Sequence, residues 1–167
     1  MYILGQFFGI LVAVSCAVAP FFKKKWQILA ILLGGNSCAA LNFLILKGVG
    51  PAVIINILAS VHIVVDFIHE KTRKATSLAE KIVFLILYLA CGFIGFKGAA
   101  DLLPVAAAVF FMLSVFQNKA QSVRVCITLN ATMWIIYDII IGSSAILAQL
   151  IAIASNISSY IKYRKEC

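Results

Sequence analysis

The sequence predicts an all-α integral membrane protein with seven transmembrane helices, arranged as two parallel three-helix repeats joined by a linker helix. Of the 167 residues, 63% are hydrophobic and only 12% are charged, and the mean hydropathy is +1.07. Soluble domains carry about 25% charged residues, so this chain lacks the polar surface that water requires. We therefore expect the lipid bilayer to surround it.

The second observation is an internal similarity between the two halves of the chain. A shift of 94 positions aligns polar and basic residues as well as apolar blocks, and a repeat of this kind decides the architecture of a fold. The matched pairs include Asn36 with Asn130, Gln27 with Gln121, Gly48 with Gly142 and Lys71 with Lys165. We predict a first repeat at 1–71, a cytoplasmic loop and linker helix at 72–97, and a second repeat at 98–167.

The third observation is a series of seven apolar segments, most of them close to the roughly 17–20 residues that a spanning helix needs. The predicted helices are Tyr2–Ala19, Gln27–Leu46, Pro51–Ile68, Ile82–Phe96, Leu102–Phe116, Val123–Ile141 and Ala145–Ile161. The fourth and fifth segments are the shortest.

Short polar or glycine-containing stretches separate these segments. Pro20 and a lysine run close the first, and Lys47-Gly48-Val49-Gly50 forms a turn after the second. Pro51 opens the third segment at a first-turn position, where its missing N–H costs nothing. The most polar stretch, His69 to Lys81, is the predicted linker, and Ser143-Ser144 separates the last two segments.

The positions of the basic residues predict how the chain is oriented. Of the 14 Lys and Arg residues, all but Lys47 and Lys97 follow an odd-numbered segment. The positive-inside rule then places the N-terminus outside and the C-terminus in the cytoplasm. Because these charges lie between apolar spans, the net charge of +8 does not indicate nucleic-acid binding. A three-helix unit reverses the chain, so a single linker helix makes the two repeats parallel, as in SWEET transporters.

Polar side chains inside apolar segments are the candidates for a solute site, since such groups usually face the interior of a helix bundle. The predicted substrate-binding residues are Asn36, His62, Asn130, Trp134, Tyr137, Gln149 and Asn156. His62 and Asp66 lie four residues apart on one helix face and form a candidate proton or ion pair, or simply an ion pair near the cytoplasmic end.

Two further asparagines and one aspartate allow more than one interpretation. Asn42 and Asn56 fit a contact between helices as well as they fit a solute contact. Asp138 belongs to a polar and aromatic stripe with Asn130, Trp134 and Tyr137, but it lies close to the outer end of its segment, where contact with interfacial water alone is the other interpretation.

No segment of the chain carries a motif for enzymatic or cofactor chemistry. GxSxG, Walker and HExxH motifs are absent, and the five cysteines are scattered singly without metal-ligand spacing. We expect no enzyme activity, no cofactor and no bound metal.

Several short stretches resemble the YgjV family of bacterial inner-membrane proteins. They are Leu102-Leu103-Pro104-Val105, Arg124, Trp134 and Asn156-Ile157 in the second half, and Gly5-Gln6, Phe21-Phe22 and Ile54-Ile55-Asn56 in the first. The resemblance implies the inner membrane and an architecture similar to that of the SWEET and PQ-loop superfamily. The Pro-Gln dipeptide of that superfamily is absent, and of the third-helix asparagines that SWEETs carry only Asn156 has a match, with His62 at the partner position.

The function expected from these features is SWEET-like transport of a small polar solute, such as a sugar or an amino acid, by alternating access at a midplane pocket. The alternative is a non-transporting membrane receptor or adaptor of the same architecture, which would need a specific cytoplasmic docking face. Apart from His69–Lys81 the loops are short, which favours transport. Besides lipid and solute, a second copy of the chain stays open as a partner.

Overall fold

The computed structural model describes residues 1–18, 25–72, 77–116 and 120–162 of the chain. Within these ranges it contains seven α-helices, one short 3₁₀ turn at Ala99–Asp101 and no strand, which confirms the all-helical prediction and the number of helices. The helices are α1 (Tyr2–Val18), α2 (Lys25–Lys47), α3 (Pro51–Thr72), α4 (Leu78–Gly92), α5 (Leu102–Phe116), α6 (Ala120–Ile141) and α7 (Ile146–Lys162).

The predicted linker from His69 to Lys81 is helical at both ends, in the described residues 69–72 and 78–81, and the sequence prediction was wrong there. Helix α3 continues to Thr72, and α4 begins after Ser77. Ser77 and Glu80 form a capping box: the Glu80 N–H donates to Ser77 Oγ at 3.2 Å, and the Ser77 N–H donates to the Glu80 carboxylate at 2.6 Å. This reciprocal pair satisfies two amides at the helix start, so polar residues begin the helix rather than preceding it.

Helix α4 also ends earlier than the predicted segment Ile82–Phe96. It ends at Gly92 because the chain turns back there, and Gly95 adopts a left-handed φ of +73°. Gly95 approaches Gly50 closely: a Cβ built on Gly95 would lie 3.2 Å from the Gly50 Cα atom. Close contact with the α2–α3 turn therefore sets the end of α4.

Two helical stretches among the described residues are long and apolar enough to cross a bilayer, namely Leu29–Lys47 and Pro51–His69. Four others are apolar but shorter, at 10–17 residues. Helix α4 has 15 residues and is about 22 Å long, against a hydrocarbon core of about 30 Å. That all seven helices cross the membrane stays a prediction.

The outer surface of the helices is covered by large apolar side chains. Ile3, Ile86, Ile139 and Ile161 are among the most exposed, each by more than half of its surface. Soluble monomers rarely expose apolar surface of this extent. A lipid environment suits this exterior.

The helices pack in chain order, with additional contacts that close the bundle. α1 packs on α2 and α2 on α3, while α5 packs on α6 and α6 on α7. α4 contacts both α3 and α5, and α1 contacts α7. Helices α2 and α6 end 94 residues apart, each followed by a glycine with positive φ: Gly48 at +80° and Gly142 at +66°. The division into two repeats at 1–71 and 98–167 stays a prediction.

The orientation of the chain also stays a prediction. Many of the basic residues counted for it lie outside the described ranges: Lys23, Lys24, Arg73, Lys74, Lys119, Arg164 and Lys165. Ala19, the predicted end of the first segment, lies outside them as well.

Candidate functional site

A cavity of about 320 Å³ lies inside the helix bundle, and all seven helices contribute to its wall. Its lining is mainly apolar, with a limited set of polar side chains, as is usual for small-molecule sites. The polar and aromatic lining residues are Ser15, Asn36, Phe43, Asn56, His62, Asp66, Tyr88, Phe111, Asn130, Trp134 and Gln149.

Most of the residues predicted from the sequence meet at this cavity. Asn36, His62, Asn130, Trp134 and Gln149 line it, together with Asp66. Two predicted residues do not. Asn156 donates from its amide to the Ala152 carbonyl of its own helix at 2.9 Å, and Tyr137 is buried behind the wall. That any of them binds a solute stays a prediction.

Several polar lining groups already donate a hydrogen bond to the protein backbone. Asn56 Nδ2 donates to the Ala52 carbonyl at 2.8 Å, and Asn130 Nδ2 donates to the Ala107 carbonyl of α5 at 2.6 Å. Ser15 Oγ donates to the Leu11 carbonyl at 2.9 Å. Because a carbonyl can only accept, the NH₂ end of each amide must face it. The Oδ1 atoms, which are acceptors, and the second N–H of each amide remain for the cavity.

Stacked aromatic rings form the wall where α2 meets α6. The ring of Phe43 lies parallel to Trp134, with centroids 5.4 Å apart and an interplanar angle of 10°. Tyr137 meets Phe43 edge-on at 5.6 Å. Phe43 and Tyr137 are 94 positions apart, so equivalent positions of the predicted repeats contact each other across the bundle.

His62, Asp66 and Tyr88 form a second group on the cavity wall, which we call the acidic subsite. His62 Nε2 lies 4.0 Å from Asp66 Oδ2, too far for a hydrogen bond. The His62 ring stacks on Phe84, with centroids 3.9 Å apart. The Tyr88 side chain is 1% exposed, and its hydroxyl has no hydrogen-bond partner among the described residues. Buried hydroxyls are normally paired, so this one requires an explanation.

A hydrogen-bonded cluster closes the opposite end of the cavity, next to the lining residue Ala145, and we call it the polar seal. It comprises Gln6, Asn42, Ser143 and Ser144. Gln6 Nε2 donates to the Gly142 carbonyl at 2.5 Å, and Gln6 Oε1 accepts from the Ser144 N–H at 2.7 Å. Asn42 Nδ2 donates to the Gly5 carbonyl, and Asn42 Oδ1 accepts from Ser143 Oγ, both at 2.7 Å. The seal thereby ties α1 and α2 to the α6–α7 turn.

Small residues on α1 allow this close approach. A Cβ at Gly9 would lie 2.2 Å from Ser144 Oγ and 2.8 Å from the backbone nitrogen of Ala145. A Cβ at Gly5 would likewise lie 3.0 Å from Leu46 Cδ2. The spacing of these two glycines is the one that lets transmembrane helices pack closely.

Beyond the seal, Lys47 and Asp101 form an ion pair between the end of α2 and the turn before α5. The Lys97 N–H also donates to Asp101 Oδ2 at 2.8 Å, and Lys47 Nζ lies 5.0 Å above the Tyr137 ring. Burial tends to raise the pKa of the Asp101 carboxyl. The Lys47 hydrogen bond and charge, and the N–H groups of Lys97 and Gly98, outweigh burial and hold that pKa below its usual value.

Asp138 does not reach interfacial water, which was one of the two interpretations that the sequence allowed. Its side chain is 1% exposed, and neither carboxylate oxygen has a partner with hydrogen-bond geometry among the described residues. The reason is that α6 continues to Ile141 and the chain then folds back, so that the Ser143 N–H donates to the Asp138 carbonyl at 2.9 Å. The turn covers the carboxylate.

Sequence reasoning missed four residues of this site. It did not identify Tyr88, Phe43 or Phe111 as lining residues, nor Gln6 as part of the seal. A signal existed for Phe43, because the repeat places it opposite the candidate Tyr137. A signal also existed for Tyr88, since it is the one hydroxyl-bearing side chain within the α4 segment.

The chain matches a family model described as Imp-YgjV, bacterial inner membrane protein, over residues 3–167. No curated protein and no solved structure matches it.

Proposed function

The chain belongs to the YgjV family of bacterial inner membrane proteins, and we propose that it transports a small polar solute by alternating access. In this proposal the cavity is the solute site, and the two three-helix units move relative to each other around it. The mechanism is SWEET-like, with facilitated diffusion as the simpler mode. The solute must be small enough to fit the cavity of about 320 Å³.

The observation that carries this proposal is a cavity lined by all seven helices, with a cluster of reversible hydrogen bonds at one end. A receptor or adaptor needs no internal chamber lined by all seven helices. A transporter needs one, together with a closure that can open without unfolding the bundle. The polar seal fits this role, because water can replace its hydrogen bonds when the helices separate.

The contacts across the bundle favour two moving units. In the first unit α1 and α3 each pack on α2, and in the second α5 and α7 each pack on α6. Contact between the units runs through α4, through side chains such as Phe43 and Trp134, and through the seal between α1 and α7. Parallel repeats that meet at a midplane site are typical of this class of transporter.

The predicted orientation makes the seal an outer gate. With the N-terminus outside, the α2–α3, α4–α5 and α6–α7 turns face the periplasm, and so do the seal and the Lys47–Asp101 pair. The acidic subsite then lies toward the cytoplasmic half. His62 and Asp66 offer the means for proton coupling, although one titratable pair also fits facilitated diffusion.

Cys16 offers a test that does not require knowledge of the solute, because this native thiol lines the cavity. We would replace Cys38, Cys91, Cys126 and Cys167 by Ala and measure labelling of Cys16 by a membrane-impermeant thiol reagent. Inside-out and right-side-out vesicles report the two faces separately. Alternating access predicts labelling from both faces. Asn42→Ala, which opens the seal, should raise the periplasmic rate about fivefold or more.

A matched control for this experiment is Ser37→Ala. Ser37 is exposed and bonds only to the Leu33 carbonyl of its own helix, so its loss should leave both labelling rates unchanged. Labelling of Cys16 from a single face, at a rate that Asn42→Ala does not alter, would refute alternating access and favour the receptor or adaptor.

A further inference from the structure

The charge of the cavity distinguishes between classes of solute. Among the described lining residues the only formally charged side chain at neutral pH is Asp66, and no Lys or Arg is present. The Asp66 side chain is 34% exposed and makes no hydrogen bond to His62, since 4.0 Å separates the nearest atoms. A carboxylate of this kind, in a chamber whose described lining holds no Lys or Arg, favours a ligand that brings a positive charge.

The hydrogen-bonding capacity of the wall points in the same direction. Ser15 Oγ and one N–H of each of the Asn56 and Asn130 amides donate to backbone carbonyls, and the oxygen atoms of these side chains can accept from a ligand. Acceptors are complementary to a ligand rich in donors, and an ammonium group has three. An anionic solute would find no Lys or Arg among the described lining residues.

The buried hydroxyl of Tyr88 marks where such a group would bind. It lines the cavity, has no partner among the described residues, and its ring lies 6.2 Å from that of His62. Phe111 meets the rings of Tyr88 and His62 edge-on, each at 6.4 Å. Aromatic faces beside a carboxylate are the surroundings in which organic cations bind.

We propose that the solute of this cavity is an organic cation, a primary amine with an apolar or aromatic body whose ammonium group binds at Asp66 and Tyr88. The body of the ligand occupies the apolar part of the chamber, beside Phe43 and Trp134. Asn130 and Asn56 accept hydrogen bonds from any further donors that it carries. This inference presupposes the solute site proposed above and names the class of compound that it takes.

Three probes that share one ring and differ in charge test the inference. They are phenethylamine as the ammonium compound, 2-phenylethanol as its neutral analogue and 3-phenylpropanoate as the anion. Thermal unfolding of the purified full-length protein is followed against the concentration of each probe, since a ligand that binds only the folded state raises its stability. We expect the amine to bind roughly tenfold to a hundredfold more tightly than the alcohol, and no shift with the anion.

Two substitutions locate the ammonium group. Asp66→Asn keeps the shape of the side chain but removes its charge. The amine and the alcohol should then bind with about the same affinity. Tyr88→Phe removes only the hydroxyl, and should weaken amine binding roughly fivefold. Glu80→Gln is the control for lost negative charge, because it lies outside the cavity and Gln can replace Glu in a capping box.

The possible results separate this inference from the function on which it depends. Tighter binding of the alcohol or the anion, abolished by Asn130→Ala or Trp134→Ala, overturns the cationic solute and retains the solute site. Tight amine binding that Asp66→Asn does not weaken also overturns the assignment. No shift with any of the three probes overturns the cationic solute, whereas the solute site itself is decided separately by the labelling of Cys16.

Discussion

At one end of the cavity Ser143 donates to Asn42, and the Gln6 and Asn42 side chains bond to the backbone. At the other end the Tyr88 hydroxyl has no hydrogen-bond partner among the described residues, and Asp66 lies 4.0 Å from His62 without bonding to it. Both groups lie within a largely apolar bundle, so environment alone does not explain the difference. Paired polar groups hold helices together, while unpaired ones retain their capacity for a ligand. The comparison separates structural from functional polar residues.

The largest effect is expected beyond the paired end, from Lys47→Met. Asp101 is 1% exposed, so this substitution leaves a buried carboxylate without its counter-charge. Breaking a buried pair in this way costs about 3 kcal/mol of the free energy of unfolding, which thermal unfolding in detergent would detect. Lys97→Met is the control, because Lys97 is exposed and its contribution to Asp101 comes from the backbone. Equal loss in both variants would contradict the role of the pair.

Acidification should weaken the same pair without mutation. The pKa of Asp101 is lower in the folded protein than its unfolded value of about 3.9. The stabilisation is therefore complete above that value and is lost as the pH falls through the folded pKa. Unfolding temperatures measured from pH 6 to pH 2 should fall at the acidic end, and Lys47→Met should reduce that slope. An identical slope in the variant would show that other carboxyls cause it.

Gly9→Ala should disturb the seal through packing alone. The added methyl would meet Ser144 Oγ and the backbone of Ala145, and backbone atoms cannot rotate away. Overpacking of this kind costs about 1–3 kcal/mol. Gly34→Ala provides the opposite case, since among the described residues no atom outside its own stretch of helix lies within 4 Å of its Cβ position. That substitution should stabilise α2 by about 0.5–1 kcal/mol. Similar unfolding temperatures for the two variants would argue against the close contact at Gly9.

The smallest expected effect, that of Tyr88→Phe on stability, compares the acidic subsite directly with the polar seal. Tyr88→Phe removes a hydroxyl that makes no hydrogen bond to the described residues. The free energy of unfolding should therefore change by less than about 0.5 kcal/mol, and the unfolding temperature should hardly move. Ser143→Ala removes a hydroxyl that donates to Asn42 and accepts from the Ala145 N–H, and should cost about 1–3 kcal/mol. A large loss in Tyr88→Phe would mean that its hydroxyl has a structural partner.

The helix boundaries were predictable where the chain itself marks them. Gly48 and Pro51 fix the α2–α3 turn in sequence and structure alike, and the prediction for α5, Leu102–Phe116, agrees with the structure at both ends. The predicted boundaries were wrong around α4. The capping box at Ser77 begins a helix with polar residues that the sequence analysis assigned to a linker. Composition indicated a loop, whereas local hydrogen bonding formed a helix.

The candidate site was predictable only in part, as the asparagines illustrate. Asn42 and Asn56 were indistinguishable in the sequence, yet Asn42 is fully bonded within the seal and Asn56 lines the cavity. Asn156 lay on a stripe with Gln149 at helical spacing, yet only Gln149 lines the chamber. Polarity identified the candidates without identifying the direction in which each one points.

The sequence by itself determined the membrane class, the seven helices and most of their ends, because apolar length and glycine or proline turns are local properties. Only the tertiary structure decided which polar groups pair and which face the cavity. In a soluble helix the polar face reveals which side is outside. Here both the lipid-facing and the core-facing sides are apolar, so the rotation of each helix about its axis leaves little trace in the sequence. Tertiary contacts set the rotation of each helix, as Gly9 against Ser144 does for α1. The rotations of α3 and α4 place Asp66 and Tyr88 on the cavity wall.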